Sequence, residues 1–87
     1  MIERRSFYIN GAWVDPVAGT DHLVIDPSTE EPCAVISLGG AADTEAAVAA
    51  ARAAFPAWSV SDPAARVALV QRILAQYQAR SEEMARA

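Results

Sequence analysis

The sequence predicts an α+β chain, with two short strand pairs in residues 1–40, a β-hairpin region, followed by two to three helices in residues 41–87, a helical region. Three observations carry this expectation. Apolar runs flank an Asn-Gly pair close to the N-terminus, and a second pair of apolar runs flanks a connection punctuated by two prolines. Beyond Gly39-Gly40 the chain turns alanine-rich, and its larger apolar residues recur at helical spacing.

The first strand pair is Phe7-Tyr8-Ile9 and Ala12-Trp13-Val14. They are joined by Asn10-Gly11, two residue types that tolerate the positive φ angles of a tight hairpin turn. Asp15-Pro16 ends this ribbon. The second pair is Leu23-Val24-Ile25 and Ala34-Val35-Ile36, connected through Asp26 to Pro32, whose prolines and polar centre specify a turn. The first helix is expected from Asp43 to Phe55, with Val48, Ala51 and Phe55 on one face, Trp58 beyond it and Pro56 as its stop. Asp62-Pro63 then supplies an N-cap and a proline at the first helical position, where the missing N–H costs nothing. In this second helix Val67, Val70, Ile73, Leu74 and Tyr77 form an apolar stripe. The stripe and the Val48–Phe55 face are expected to be buried against each other or against another chain. A third helix opens at Ser81, read as its N-cap, with Glu82 and Glu83 in its first turn, and it is expected to be cut short at Ala87.

Composition narrows the function. A chain of 87 residues forms one small domain at most and buries only roughly 60 to 65% of its unfolded surface. Its net charge of −4 argues against a nucleic-acid partner, which requires a basic face. All seven basic residues are arginines, which excludes Schiff-base chemistry and a phosphate-loop lysine. No run approaches the roughly 20 apolar residues of a membrane span, so no membrane partner is expected. With one cysteine and no secretory signal core, the cytoplasm is the expected compartment.

Few residues here could carry chemistry. Cys33 stands beside Pro32 with Glu30 and Glu31 upstream, an acidic setting that disfavours a thiolate, so it is expected to be a small, partly buried packing residue. His22 lacks neighbours at metal-ligand spacing and reads as a surface histidine. Gly39-Gly40 precedes a helix, but no third glycine completes a dinucleotide-binding loop; Gly40 near the N-cap and Asp43 in the first turn account for it. Trp13 and Trp58 read as packing residues, and the acidic run Asp26 to Glu31 as a solvated turn. The residues therefore assign no catalytic and no cofactor-binding side chain to this chain.

The phrases FYINGAWVDP, VIDPSTEEP, AVISLG and ADTEAAVAAARAAFPAWS, in this order and spacing, resemble the amino-terminal segment of the aldehyde dehydrogenase superfamily. The matching residues are Tyr8, Ile9, Asn10, Gly11, Trp13, Val24, Ile25, Pro27, Ala47, Val48, Ala50, Ala51, Arg52, Ala54, Phe55 and Trp58. Asp26 stands where the family usually has Asn, and Glu30 where it often has Gly, so a different turn geometry or local strain is expected at Glu30. The resemblance implies a longer α/β parent with a Rossmann-like cofactor domain, of which residues 1–87 are an N-terminal piece. Such a parent oxidises an aldehyde to a carboxylic acid with NAD or NADP through a cysteine thioester, and forms a homodimer or homotetramer. Its nucleophile, glutamate base and cofactor contacts would all lie outside this segment, whose partner is the remainder of the same polypeptide. The resemblance also implies that the backbone carbonyls of Val24 and Ile25 contribute to a monovalent-cation site completed elsewhere. The rival expectation is a small stand-alone protein-interaction module that docks a partner on its helix stripe.

Overall fold

The computed structural model describes all of residues 1–87. Five strands precede three helices: β1 Ile2–Arg4, β2 Phe7–Ile9, β3 Ala12–Val14, β4 Thr20–Ile25, β5 Pro32–Leu38, α1 Ala41–Ser59, α2 Pro63–Ala79 and α3 Ser81–Arg86. Both expected strand pairs form. The chain divides into two compact units, Met1–Phe55 and Pro56–Ala87, so the division falls within α1 at its proline.

In the first unit, β2 and β3 make a separate two-stranded antiparallel sheet in which Phe7, Tyr8 and Ile9 face Val14, Trp13 and Ala12. Asn10 at φ 54° and Gly11 at φ 76° give the left-handed pair that matches strand twist in a two-residue turn. Tyr8 and Trp13 stack across the hairpin in a tilted geometry with ring centroids 5.2 Å apart. Trp13 otherwise faces solvent, at 72% exposure, so within this chain it does not serve as a core residue.

The other sheet has the order β1-β5-β4, with β1 parallel and β4 antiparallel to the central β5. Strand β1 was not expected, because three residues of a charged N-terminus carry no local strand signal; its pairing with Ala34, Val35 and Ile36 is entirely long-range. The central strand contains the one buried hydrophobic residue, Val35, and the buried Ser37. The two lie two residues apart and so share one face of the strand, while Ala34 and Ile36 on the other face are half-buried. Arg5 ties the sheet's edge together, donating to both carboxylate oxygens of Asp21 at 2.9 and 3.0 Å and to Glu3 at 2.7 Å.

Helix α1 runs three residues past Pro56 rather than stopping there. Proline removes one hydrogen bond to the preceding turn, and so close to the helix end that loss is small. The last carbonyls find other donors: Ser59 Oγ donates to the Pro56 carbonyl at 2.9 Å, and Ser61 donates to the Trp58 carbonyl through N–H at 3.1 Å and Oγ at 2.7 Å. In the second unit, Asp62 caps α2 as expected, its carboxylate accepting from the Ala64 N–H at 3.0 Å. Ser81 is not the N-cap of α3. Arg80 closes α2 and opens α3 with no side-chain cap bond, because a single residue separates the two helices and draws Ser81 into the second.

The apolar stripe of α2 is not buried by the chain's own residues. Val67, Val70, Ile73, Leu74 and Tyr77 remain more than half exposed, as does Phe55 on α1, and Val48 is nearly so. The expected burial of these faces is therefore not seen within the chain, and the half-buried positions of α2 are Arg66, Ala68 and Leu69 instead.

Three carboxyls are held below their ordinary range: Asp21 by hydrogen bonds from Arg5, Asp26 by the Ser28 hydroxyl and then the Ser28 N–H, and Glu83 by hydrogen bonds from Arg80. A lowered folded-state value means the stabilisation is fully present above the ordinary carboxylate range and is lost as pH falls through the folded values. Asp21 and Glu83 are exposed and Asp26 is half-buried, so each effect is small. Asp21→Asn is expected to make stability less sensitive to acid, read as a flatter acid limb in a pH-dependent unfolding titration; an unchanged limb would remove the Arg5 pair from the account.

Candidate functional site

Two places in the first unit combine backbone geometry with polar groups, and each answers a question that the sequence raised. The first is the strand-to-helix turn at Gly39-Gly40. Gly40 is the residue before α1, and Asp43, three residues on, reaches back so that its Oδ2 accepts from the Gly40 N–H at 3.0 Å. This is the reciprocal half of a capping box, with Asp in the place of Glu. Asp43 Oδ1 also accepts from the Val17 N–H at 3.0 Å, which fastens the β3–β4 loop to the helix start. The carboxylate is buried, at 9% exposure.

That arrangement decides against a phosphate cradle. A helix N-terminus attracts anions through its free N–H groups and the helix dipole. Here the chain's own carboxylate occupies the position, so a phosphate would meet a negative charge rather than free donors. The residues present do not fit NAD or NADP. Gly39 belongs to the same packing: a Cβ there would sit 2.9 Å from the Phe7 ring and 3.1 Å from Asp43 Oδ2. The three-residue spacing of Gly40 and Asp43 was the available signal; the sequence placed Asp43 in the first turn without revealing its hold on Val17.

The second place is the end of the β4–β5 ladder, which holds the predicted carbonyls of Val24 and Ile25. Val24 pairs with Ala34 and Ile25 with Pro32, so Cys33 is an extra residue on β5 that makes a bulge. Pro32 opposite Ile25 has no N–H to donate, and Cys33 Sγ lies 3.4 Å from the Val24 carbonyl oxygen. Regular pairing thus fails beside both carbonyls. Cys33 is exposed rather than partly buried, standing unpaired in the bulge at the outer end of the ladder next to the exposed Pro32. In the following turn, Asp26 Oδ1 accepts from the Ser28 N–H at 2.8 Å and the Ser28 hydroxyl at 2.6 Å. Glu30 takes φ 60°, the left-handed region where the family's usual glycine is at ease, so the strained of the two expectations at this position holds.

The remaining candidates stay apart. His22 is exposed on β4, with Asp21 on the opposite face bound to Arg5. No group of three or more His, Cys, Asp or Glu side chains is placed to hold a metal ion. No helix is long and apolar enough to cross a membrane.

Comparison with known proteins resolves the family. The model of the aldehyde dehydrogenase family matches residues 13–87. The chain belongs to the aldehyde dehydrogenase family. Among curated members, 3-succinoylsemialdehyde-pyridine dehydrogenase of a Pseudomonas species is 37% identical over the whole of this chain, and aminoaldehyde dehydrogenase 2 of Zea mays is 39% identical over 97% of it. The chain spans 18% of the length of each. A crystal structure of an aldehyde dehydrogenase from Bartonella henselae superposes on 99% of this chain with a TM-score of 0.94 and 50% identity, using 18% of that protein's chain. This aldehyde dehydrogenase segment is α+β by itself and matches part of a larger dehydrogenase fold. The reading as a stand-alone interaction module is not favoured by that membership.

Proposed function

We propose that these 87 residues are the N-terminal scaffold of a cytoplasmic NAD(P)-dependent enzyme that oxidises an aldehyde to a carboxylic acid through a cysteine thioester. The observation that carries this is the match of nearly the whole chain, at 50% identity, to one part of an aldehyde dehydrogenase more than five times its length. The nucleophile, the general base and the cofactor contacts are supplied by the remainder of the polypeptide, and the assembly is a homodimer or homotetramer. The relatives named for semialdehydes and aminoaldehydes point to a polar aldehyde as the substrate class. Within this scheme the 87 residues do no chemistry. They present apolar helix faces for the rest of the enzyme to pack on, which suits side chains that nothing in their own unit covers.

The test is to assay the chain alone and the protein extended to the length of its relatives. Aldehyde-dependent reduction of NAD or NADP is expected from the extended protein and from none of the 87-residue preparations. Turnover by the short chain, abolished by Cys33→Ser, would overturn the scaffold reading; an inactive extended protein would overturn the enzyme reading.

The same reading gives the Val24 and Ile25 carbonyls a part in binding a monovalent cation. Carbonyl oxygens at an interrupted ladder are suitable hard-cation donors, and the turn's side chains need not take part. Two donors are too few for a site, so the 87-residue chain alone is expected to bind no ion. Potassium or sodium is expected to raise the melting temperature of the extended protein relative to a bulky organic cation at equal ionic strength. Equal melting temperatures would end this assignment.

A further inference from the structure

We propose that Asn10, at the tip of the β2–β3 hairpin, is a site of spontaneous deamidation and isoaspartate formation. It is the only asparagine of the 87 residues, and glycine follows it. Asparagine is chemically labile, and the reaction runs through the next residue's backbone nitrogen. That nitrogen loses its proton and attacks the Asn10 side-chain carbon; a C–N bond forms, the bond to Nδ2 breaks and ammonia leaves. Water then opens the resulting succinimide at one carbonyl or the other, giving aspartate or isoaspartate, with no oxidant or reductant needed.

Three features of the fold expose Asn10 to this chemistry. Asn10 and Gly11 are both exposed, and apart from the adjoining residues nothing lies within 4 Å of where a Cβ on Gly11 would stand, so the turn is open to solvent. The hairpin is a two-stranded sheet of three residue pairs with no third strand on either edge. Such a ribbon is marginal by itself and opens locally, which frees the turn from a φ of 54° into the conformations that ring closure requires. The consequence is structural. IsoAspartate adds a methylene to the backbone, and a two-residue turn that depends on left-handed geometry at both positions cannot hold its register with an extra backbone atom. Tyr8 and Trp13 would lose their stack, and the hairpin tip would leave the groove of about 520 Å³ that it lines with Ala47, Ala50, Ala51 and Ala54 of α1.

The experiment ages the folded protein at neutral and mildly alkaline pH and maps the peptide carrying residues 7–14, with isoaspartate labelled by its methyltransferase. An unfolded synthetic peptide of the same residues is aged alongside. Conversion of Asn10 in the folded protein, faster at the higher pH and accompanied by a change in tryptophan fluorescence, is the expected result. Asn10→Gly keeps a turn able to take positive φ and removes the amide, so the label at this peptide is expected to disappear. Folded protein that retains Asn10 while the synthetic peptide converts would overturn the proposal, as would isoaspartate label persisting at this peptide in Asn10→Gly.

Discussion

Leu74→Ala is expected to lower the unfolding free energy of the extended aldehyde dehydrogenase by about 2 to 5 kcal/mol. The same change is expected to shift the 87-residue chain by no more than about 0.5 kcal/mol. The contrast follows from the exposure of one helix face. Leu74 is 53% exposed, and Val67, Val70, Ile73 and Tyr77 on the same face range from 55% to 62%. A truncation there removes surface that water already reaches, so neither a cavity nor much lost burial results. In the extended protein the stripe is expected to face a neighbour, because a continuous apolar strip of this length promotes association unless something covers it. From Pro63 to Arg80 the helix also carries Arg66, Arg72 and Arg80 and no carboxylate. The covering surface is therefore expected to be apolar with an acidic rim. Gln78→Ala, a polar position on α2, is the control and is expected to be silent in both proteins. Paired denaturant titrations read the result; a Leu74→Ala effect equally small in both would mean that the stripe faces solvent in the extended enzyme and that the scaffold role rests elsewhere.

What the sequence made legible was set by the range of the interactions involved. The Asn10-Gly11 turn, the Asp62-Pro63 cap and the Pro27-to-Pro32 connection are specified by neighbours in the chain, and all three stand where local chemistry puts them. Strand β1 depends on partners more than thirty residues away at Ala34 to Ile36, and no local pattern announces it. The bulge at Cys33 is likewise a register property, settled only when two strands meet, and it turned a residue expected to pack into an exposed one. Periodicity predicted burial of the Val48–Phe55 face and of the α2 stripe, yet both are exposed within the chain, since amphipathicity does not supply the partner that burial requires. At the candidate site, the Val24 and Ile25 carbonyls could be named only through family resemblance. Backbone oxygens leave no trace in side-chain identity.

Asp43→Ala is expected to destabilise the chain by about 2 to 3 kcal/mol. The carboxylate is one of three buried residues in the chain and joins two segments, accepting from the Gly40 N–H at the start of α1 and from the Val17 N–H in the β3–β4 loop. Hydrogen bonds to a charged acceptor contribute about 1.5 to 3 kcal/mol each. Removal should cost less than twice that, because Val17 and Gly40 are themselves exposed and water can reach their N–H groups once the side chain is gone. Asp43→Asn keeps one oxygen and turns an amide donor toward an N–H, so it should fall between the wild type and alanine. The loop offers an independent check. A Cβ on Gly19 would lie 2.4 Å from Cγ of Pro16, an atom held in a ring that cannot swing aside, so Gly19→Ala must displace the loop that carries Val17. Both substitutions then act on the same tie, and their costs are expected to add to less than the sum of the singles in a double-mutant cycle. Amide hydrogen exchange at Val17 and Gly40 gives the local readout, with protection lost at both in Asp43→Ala and at Val17 alone in Gly19→Ala. Val17 protection unchanged by Asp43→Ala, or strictly additive costs, would show that the carboxylate caps the helix without holding the loop.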